Sequence, residues 1–138
     1  MLHMLDIDTA SYIVRSRAAQ VEAKLSAIEP SMLCISAMTR AELLYGLKRL
    51  SPDHRLRAGV HQFLKIVRAL PWGAEAADLY AEMRNQLAAA GQLIGEIDMM
   101  IAAHSLATAA VLVTNTLRHY QRIPVPLILE NWWGAGAS

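Results

Sequence analysis

The sequence predicts an α/β fold, a three-layer α/β/α sandwich with a short, mainly parallel central sheet. Short apolar runs alternate with longer segments of helical character along the 138 residues, as in a parallel sheet joined by helical crossovers. Apolar residues make up 54% of the chain and charged residues only 18%, which supports one packed core and excludes intrinsic disorder. The length predicts a single domain over 1–133, and the small residues of 134–138 predict a flexible C-terminal tail.

The first half of the chain predicts two strands and four helices. An apolar run that ends at Asp6 indicates a buried strand, and Asp8 or Thr9 can cap the helix that follows it. Pro30 ends a second helix, and Ser36 is placed to cap a third helix after another apolar run. The expected strands are 1–5 and 32–35, and the expected helices are 9–15, 17–28, 37–50 and 51–67, the last with proline in its first turn.

The second half predicts three strands and two helices. Pro71 shortens a strand that begins at residue 68, and an alanine-rich helix is closed by Gly91 in the usual cap position. The stretch 115–126 contains two prolines and is expected to be a loop. The expected strands are 68–72, 111–114 and 127–129, and the expected helices are 74–90 and 95–109.

Several classes of protein are excluded by the absence of their signals. Cys34 is the only cysteine and is expected in the core because it lies inside an apolar run. With no internal disulfide and no signal peptide, the chain is expected in the cytoplasm. The longest apolar stretch, 97–113, contains Asp98 and His104, so no membrane helix is expected. The sequence contains no P-loop, no Gly-x-Gly-x-x-Gly and no His-Glu-x-x-His motif.

The charges are distributed unevenly, although the net charge is only +1. Residues 40–68 contain seven bases, among them Arg40 and Arg49, against two acids. Such a basic segment is typical of a face that binds a polyanion. Alternatively, these bases lie on the solvated sides of two helices, and the charges alone leave both interpretations open.

Four acids are expected at one edge of the sheet. Asp6 and Asp8 follow the first strand, Glu42 lies on the helix after the second strand, and Asp98 lies near the start of the helix before the strand 111–114. The carboxyl ends of parallel strands meet at one edge, which brings these distant positions together. Carboxylates without matching bases repel one another unless a hard cation binds between them, and oxygen ligands suit Mg²⁺ or Mn²⁺.

Each acid also has a purely structural interpretation. Asp98 lies in a segment that is apolar on nearly every helical face, where an unpaired carboxylate is costly, but it could be a first-turn acid favoured by the helix dipole. Glu42 could be solvated or paired with Arg49, and Asp8 could be a helix cap. For Asp6, which directly follows a buried strand, no comparable structural interpretation is evident from the sequence.

Four short motifs carry a resemblance. They are Met4-Leu5-Asp6, Thr39-Arg40-Ala41-Glu42-Leu43-Leu44-Tyr45-Gly46, Gly95-Glu96-Ile97-Asp98-Met99-Met100-Ile101-Ala102-Ala103-His104 and Leu112-Val113-Thr114-Asn115. In their order and spacing over 1–132 they resemble the PIN-domain ribonucleases and, more narrowly, the VapC toxins of bacterial toxin–antitoxin pairs.

The resemblance implies a PIN-like domain that hydrolyses phosphodiester bonds of RNA with Mg²⁺ or Mn²⁺, with transfer RNA or other structured RNA as substrate. It places the catalytic and metal-binding carboxylates at Asp6, Glu42 and Asp98. Asp6 and Asp98 would hold the principal ion, and Glu42 would complete its shell directly or through water. It also implies a cognate VapB-type antitoxin and a homodimer.

The chain departs from the family pattern at two positions. The position of a further acid is occupied by Thr116, and Ile7 stands where the family usually has a small polar residue. The residues expected to contact substrate are Asp8, Arg40, Arg49, Asn115 and Thr116. The departures leave an alternative, a catalytically impaired PIN domain that acts as an RNA- or partner-binding module. An unrelated phosphohydrolase is less consistent with the sequence, because no glycine loop is present to hold a phosphate.

Overall fold

The computed structural model describes residues 1–15 and 18–133, so the expected tail at 134–138 lies outside it. The strands are β1 (His3–Leu5), β2 (Leu33–Ser36), β3 (Arg68–Leu70), β4 (Val111–Val113) and β5 (Ile128–Glu130). The helices are α1 (Ile7–Arg15), α2 (Ala19–Ser26), α3 (Ala37–Lys48), α4 (Leu56–Ile66), α5 (Ala74–Ala89), α6 (Glu96–Ala107) and α7 (Leu117–Tyr120). None of the helices in these ranges is long and apolar enough to cross a membrane.

The five strands form one parallel sheet in the order β3-β2-β1-β4-β5. The chain builds the sheet outwards from β1 to β3 and then crosses to the other side of β1 to add β4 and β5. The topological switch point therefore lies between β1 and β4, where ligand sites of open α/β sheets occur. Asp6 and Thr114, the residues that follow these two strands, are thereby placed side by side.

Helices cover both faces of the sheet, which confirms the predicted three-layer α/β fold. Alternate strand residues point to opposite faces. Leu5, Ile35 and Val113 belong to the cluster under α1 to α4, together with the buried Trp132. Met4, Cys34 and Leu112 belong to the cluster under α5 and α6.

Two helix starts lie at the carboxyl ends of strands and are capped by side chains. Ser36 caps α3 as predicted, because its Oγ accepts the N–H of Met38 at 3.1 Å. The first helix differs from the prediction, since α1 begins directly after β1 and the carboxylate of Asp6 accepts the N–H of Thr9 at 2.9 Å. Asp8 and Thr9 are therefore not its caps, and Asp8 lies exposed in the first turn.

The segment between α3 and α4 is not helical, contrary to the prediction of a helix from residue 51. Arg57 donates hydrogen bonds to the carbonyls of Leu47, Leu50 and Ser51 at 2.7–2.8 Å. These carbonyls belong to the end of α3 and to the turn after it. The Arg57 guanidinium therefore satisfies acceptors that a continued helix would otherwise bind. Arg57 is thus committed to the fold rather than to a solvated basic face.

Candidate functional site

Asp6 is fixed at the carboxyl end of the central strand by bonds to two elements. Its backbone N–H donates to the carbonyl of Val113 at 3.0 Å, and its own carbonyl accepts the N–H of Ala10 at 3.0 Å. Its carboxylate caps α1 through the N–H of Thr9. The side chain is only 3% exposed. One carboxylate oxygen is therefore bound to the backbone, and the group has a defined orientation.

The environment of Asp6 disfavours its charged form. Burial raises the pKa of Asp6 and is the largest cause, and the nearby charge of Asp8 raises it further. The hydroxyls of Thr114 and Thr9 and the Thr9 N–H act in the opposite direction, but burial prevails. Among the described residues, no cation is one of the groups that shift the pKa of Asp6, as expected of a carboxylate that binds a metal ion.

Asp98 lies beside this group, in the first turn of α6. It is half-buried, and burial, followed by the charge of Asp8, raises its pKa. The hydroxyl of Tyr120 and the charge of His119 lower it. Asp8 thus acts on both Asp6 and Asp98, and the structure brings these three acids into one electrostatic cluster.

Tyr120 ends α7 with its hydroxyl against the three acids. Burial, then the charges of Asp6 and Asp98, raise its pKa far above the ordinary value, so the hydroxyl is neutral. The residue is 1% exposed, and its oxygen forms no hydrogen bond of ordinary geometry with the described residues. The site therefore contains a buried proton donor that has no fixed acceptor.

Glu42 is not among the groups that shift the pKa of Asp6 or Asp98. It is half-buried on α3 and lines a groove with Ser11 and Arg15 of α1. Among the residues of 1–15 and 18–133, no three His, Cys, Asp or Glu side chains lie close enough together to hold a metal ion. Mg²⁺ commonly uses one or two carboxylates and keeps several waters, so Asp6 and Asp98 fit such an ion without a third direct ligand.

The residues expected to contact substrate lie in two regions. Thr116 is linked to Thr114, because its N–H donates to the Thr114 hydroxyl at 3.0 Å and the two hydroxyl oxygens are also 3.0 Å apart. Asn115 between them is half-buried. Arg40 and Arg49 are exposed on and at the end of α3, away from the buried core.

Three residues next to the acids were not identified from the sequence as site residues. Thr9 and Thr114 contact the carboxylate of Asp6, and Thr114 carries a usable signal because it directly follows a buried strand. Tyr120 carries none, since its position depends on α7, which lies in the stretch expected to be a loop. The short α7 has only four residues, too few for a helical period to be recognised.

Two adjoining apolar grooves lie on the face covered by α1 to α4. One lies between α1, α2 and α4 and includes Phe63 and Ile66, and the other lies between α1, α3 and α4 and includes Glu42. Val14 lines both, so we treat them together as the helical groove. Ile66 is 54% exposed there. The helical groove thus offers apolar surface with an acid nearby.

Comparison with known proteins gives consistent matches over nearly the whole length. Residues 4–123 match the PIN domain family. Ribonuclease VapC2 of Rickettsia felis is 32% identical over 133 residues, which cover 96% of this chain and 98% of the relative. The tRNA(fMet)-specific endonuclease VapC of Salmonella typhimurium is 34% identical over 130 residues, covering 94% of this chain and 96% of the relative.

Solved structures agree with the sequence matches. The crystal structure of DNA-bound VapBC from Salmonella typhimurium matches with a TM-score of 0.88 at 32% identity, covering 96% of this chain and 99% of that chain. VapBC2 of Rickettsia felis, bound to a DNA fragment from its promoter, matches with a TM-score of 0.87 at 30% identity over 96% and 99% of the two chains. The matched regions include the strands and helices that carry the acid cluster.

Proposed function

This chain belongs to the PIN-domain family, among the VapC ribonucleases, and from that premise we propose that it is a metal-dependent endoribonuclease toxin that cleaves structured RNA, with transfer RNA as its substrate class. The observation that carries the proposal is the cluster of Asp6, Asp8 and Asp98 at the topological switch point, where burial raises the pKa of Asp6 and Asp98. The Salmonella relative, named as a tRNA(fMet)-specific endonuclease, supports the substrate class. RNA as substrate also implies that the protein acts in the bacterial cytoplasm.

Asp6 and Asp98 are the residues proposed to hold Mg²⁺ or Mn²⁺, and Glu42 contributes through a water molecule. Such an ion lowers the pKa of bound water and stabilises charge on phosphoryl oxygens. Asp6 presents its carboxylate in a fixed direction because the Thr9 N–H donates to the carboxylate and the Val113 carbonyl accepts the backbone N–H of Asp6. The N-terminus of α1 also favours negative charge at this point, which supports phosphate binding there. The expected products are a 5′-phosphate and a 3′-hydroxyl.

The RNA backbone is proposed to contact basic and polar groups around this cluster. Arg40 is exposed on α3 and Arg49 directly after its end, where both are able to bind phosphates in a salt-sensitive way and with little reading of sequence. Asn115 and Thr116 lie beside the cluster at the end of β4, and Asp8 lies exposed at its edge. Choice among RNAs then depends on shape and unstacked bases.

The catalytically impaired alternative is not favoured. Ile7 is half-buried and packs against the apolar cluster under α5 and α6, so this side chain is accommodated by the core. Asp8 supplies a third carboxylate, whose charge raises the pKa of both Asp6 and Asp98. Both departures leave Asp6, Asp8 and Asp98 in place.

The experiment that tests the activity incubates the purified chain with total bacterial RNA. Parallel reactions contain Mg²⁺, Mn²⁺ or EDTA, and the cut ends are sequenced. We expect discrete cuts in transfer RNA with either ion and none with EDTA, with 5′-phosphate at each cut. Cuts that persist in EDTA, or intact RNA after incubation with folded protein and both ions, would contradict the proposal.

The proposed partner is a VapB-type antitoxin bound in the helical groove. The matching structures from Salmonella and Rickettsia are VapBC complexes, and the groove presents the apolar surface that an amphipathic segment would cover. Homodimerisation of the chain within that complex is part of the same proposal.

A matched pair of charge substitutions tests this assignment of the groove. Ile66→Glu places a charge in the helical groove, whereas Leu93→Glu places one at a site of similar exposure, 50%, outside the groove-lining residues. We expect Ile66→Glu to weaken antitoxin binding at least about tenfold, because the charge would be buried without a partner. Calorimetry with the coexpressed antitoxin measures this, and equal affinities of the two variants would exclude the groove.

A further inference from the structure

The Tyr120 hydroxyl is one of three buried side-chain polar atoms without a hydrogen-bond partner among the described residues, and the other two are Thr39 Oγ1 and Gln86 Oε1. Buried tyrosine hydroxyls usually have a hydrogen-bond partner, since an unpaired buried polar group is costly. Tyr120 is 1% exposed, and its oxygen has no partner of ordinary geometry among the described residues. A phenylalanine would fill the same space in the cluster under α5 and α6 without that cost. The hydroxyl therefore calls for a role that the isolated fold does not reveal.

The surroundings of the hydroxyl indicate what that role is. It faces Asp98 closely enough to affect that carboxylate, and Asp6 and Asp8 are also near it. The neighbours of this neutral phenol are carboxylates, which accept hydrogen bonds, so the hydroxyl acts as the donor. It is shielded from solvent and hence from the RNA. Any effect of the hydroxyl on the reaction is therefore exerted through a neighbouring carboxylate.

Among the described residues, fewer hydrogen-bond donors act on the Asp98 carboxylate than on that of Asp6. Asp6 receives the N–H of Thr9 and faces the hydroxyl of Thr114. Among the described residues, Tyr120 is the only group whose side chain is directed at Asp98 as a hydrogen-bond donor. Ligating carboxylates in metal sites are normally held by such outer hydrogen bonds.

We propose that Tyr120 is a positioning residue, whose hydroxyl donates a hydrogen bond to the Asp98 carboxylate when the site binds its divalent ion and so holds that carboxylate in its ligating orientation. The inference rests on the proposed metal site and adds a residue to it. The hydroxyl lies close enough to Asp98 to act on its carboxylate as a donor.

The test compares Tyr120→Phe with Tyr12→Phe, which removes a hydroxyl from the opposite face of the sheet. Three measurements are made on each: Mn²⁺ affinity by electron paramagnetic resonance, kcat and KM for RNA cleavage, and the urea midpoint in EDTA. For Tyr120→Phe we expect Mn²⁺ to bind at least about 10-fold more weakly, as is usual when an outer-shell partner is lost. KM for RNA should be unchanged, and the metal-free midpoint equal or higher, because an unpaired hydroxyl is removed. Tyr12→Phe should leave Mn²⁺ affinity and kcat unchanged.

The possible outcomes separate this inference from the proposed function. Wild-type Mn²⁺ affinity in Tyr120→Phe would overturn the positioning role, and so would a lowered metal-free midpoint, which indicates that the hydroxyl supports the fold instead. If the wild-type chain binds Mn²⁺ and cleaves RNA, the proposed function is supported and the variants test only the role of Tyr120. If wild type neither binds Mn²⁺ nor cleaves RNA, the proposed function and this inference fail together.

Discussion

Asp98→Asn is expected to lower metal-dependent RNA cleavage at least about 100-fold, since an ion that stabilises transition-state charge contributes several kcal/mol and each 1.36 kcal/mol is a factor of ten in rate. The amide has nearly the same shape as the carboxylate, so the site loses charge but little packing. Initial rates of cleavage of one transfer RNA at saturating Mg²⁺ provide the measurement. Asp78→Asn, at an exposed acid of α5, is the control and should cleave like wild type.

The same substitution is expected to leave the metal-free chain at least as stable as wild type. Burial raises the pKa of Asp98 in the folded chain, so the folded state binds this proton more tightly than the unfolded state does. Stability from this group is therefore present at low pH and is lost as the pH rises from the unfolded pKa through the raised folded pKa. The amide of the variant does not ionise, so the variant does not undergo this loss.

Urea unfolding in EDTA at several pH values measures this effect. The difference between Asp98→Asn and wild type should grow in favour of the variant as the pH rises towards neutrality. A variant that is less stable than wild type at neutral pH would mean that the ionised carboxylate is held by the fold, and would count against an acid reserved for a metal ion.

Trp132→Ala is expected to destabilise the chain by about 3–5 kcal/mol, the usual cost of removing a large aromatic side chain from a core. Trp132 is 1% exposed and belongs to the cluster under α1 to α4. Its indole N–H also donates to Glu130 at 3.0 Å, so the substitution leaves that carboxylate without this donor. The loss is a large share of the stability of an ordinary domain.

Chemical denaturation of the free chain measures the effect of Trp132→Ala. Leu93→Ala, at a half-exposed position between α5 and α6, should change the free energy of unfolding by less than about 0.5 kcal/mol. A loss below about 1 kcal/mol at Trp132 would show that the C-terminal segment contributes little to the core.

The sequence predicted the layers of the fold because its strands are short runs of consecutive apolar residues, and the central strands are buried on both faces. Met4 and Leu5 illustrate this, since adjacent residues of one apolar run belong to opposite clusters, and only a sheet covered on both sides requires both to be apolar. The strand order could not be read from that pattern. It depends on where the chain crosses from β3 to β4, and both sides of β1 are equally apolar.

The candidate site was predictable only where a residue directly follows a strand. Asp6 and Thr114 occupy such positions, and parallel strands align their carboxyl ends. Asp98 was identified because it is a carboxylate in a segment that is otherwise apolar on nearly every helical face. Tyr120 depends on a one-turn helix set by tertiary packing, and the distance between Glu42 and the acid cluster depends on the placement of α3 against α1. Neither of these is encoded in a local pattern.

Because the acid cluster lies at the switch point between β1 and β4, its residues are translated at very different times. Asp6 emerges among the first residues, but Asp98, Thr114 and Tyr120 are translated only in the last third of the chain. Nascent chains shorter than this have no assembled carboxylate pair, since domains fold from the segments already synthesised. The residues that line the helical groove all lie within 11–67. The segments that form the surface proposed for the antitoxin are therefore translated before those that complete the acid cluster.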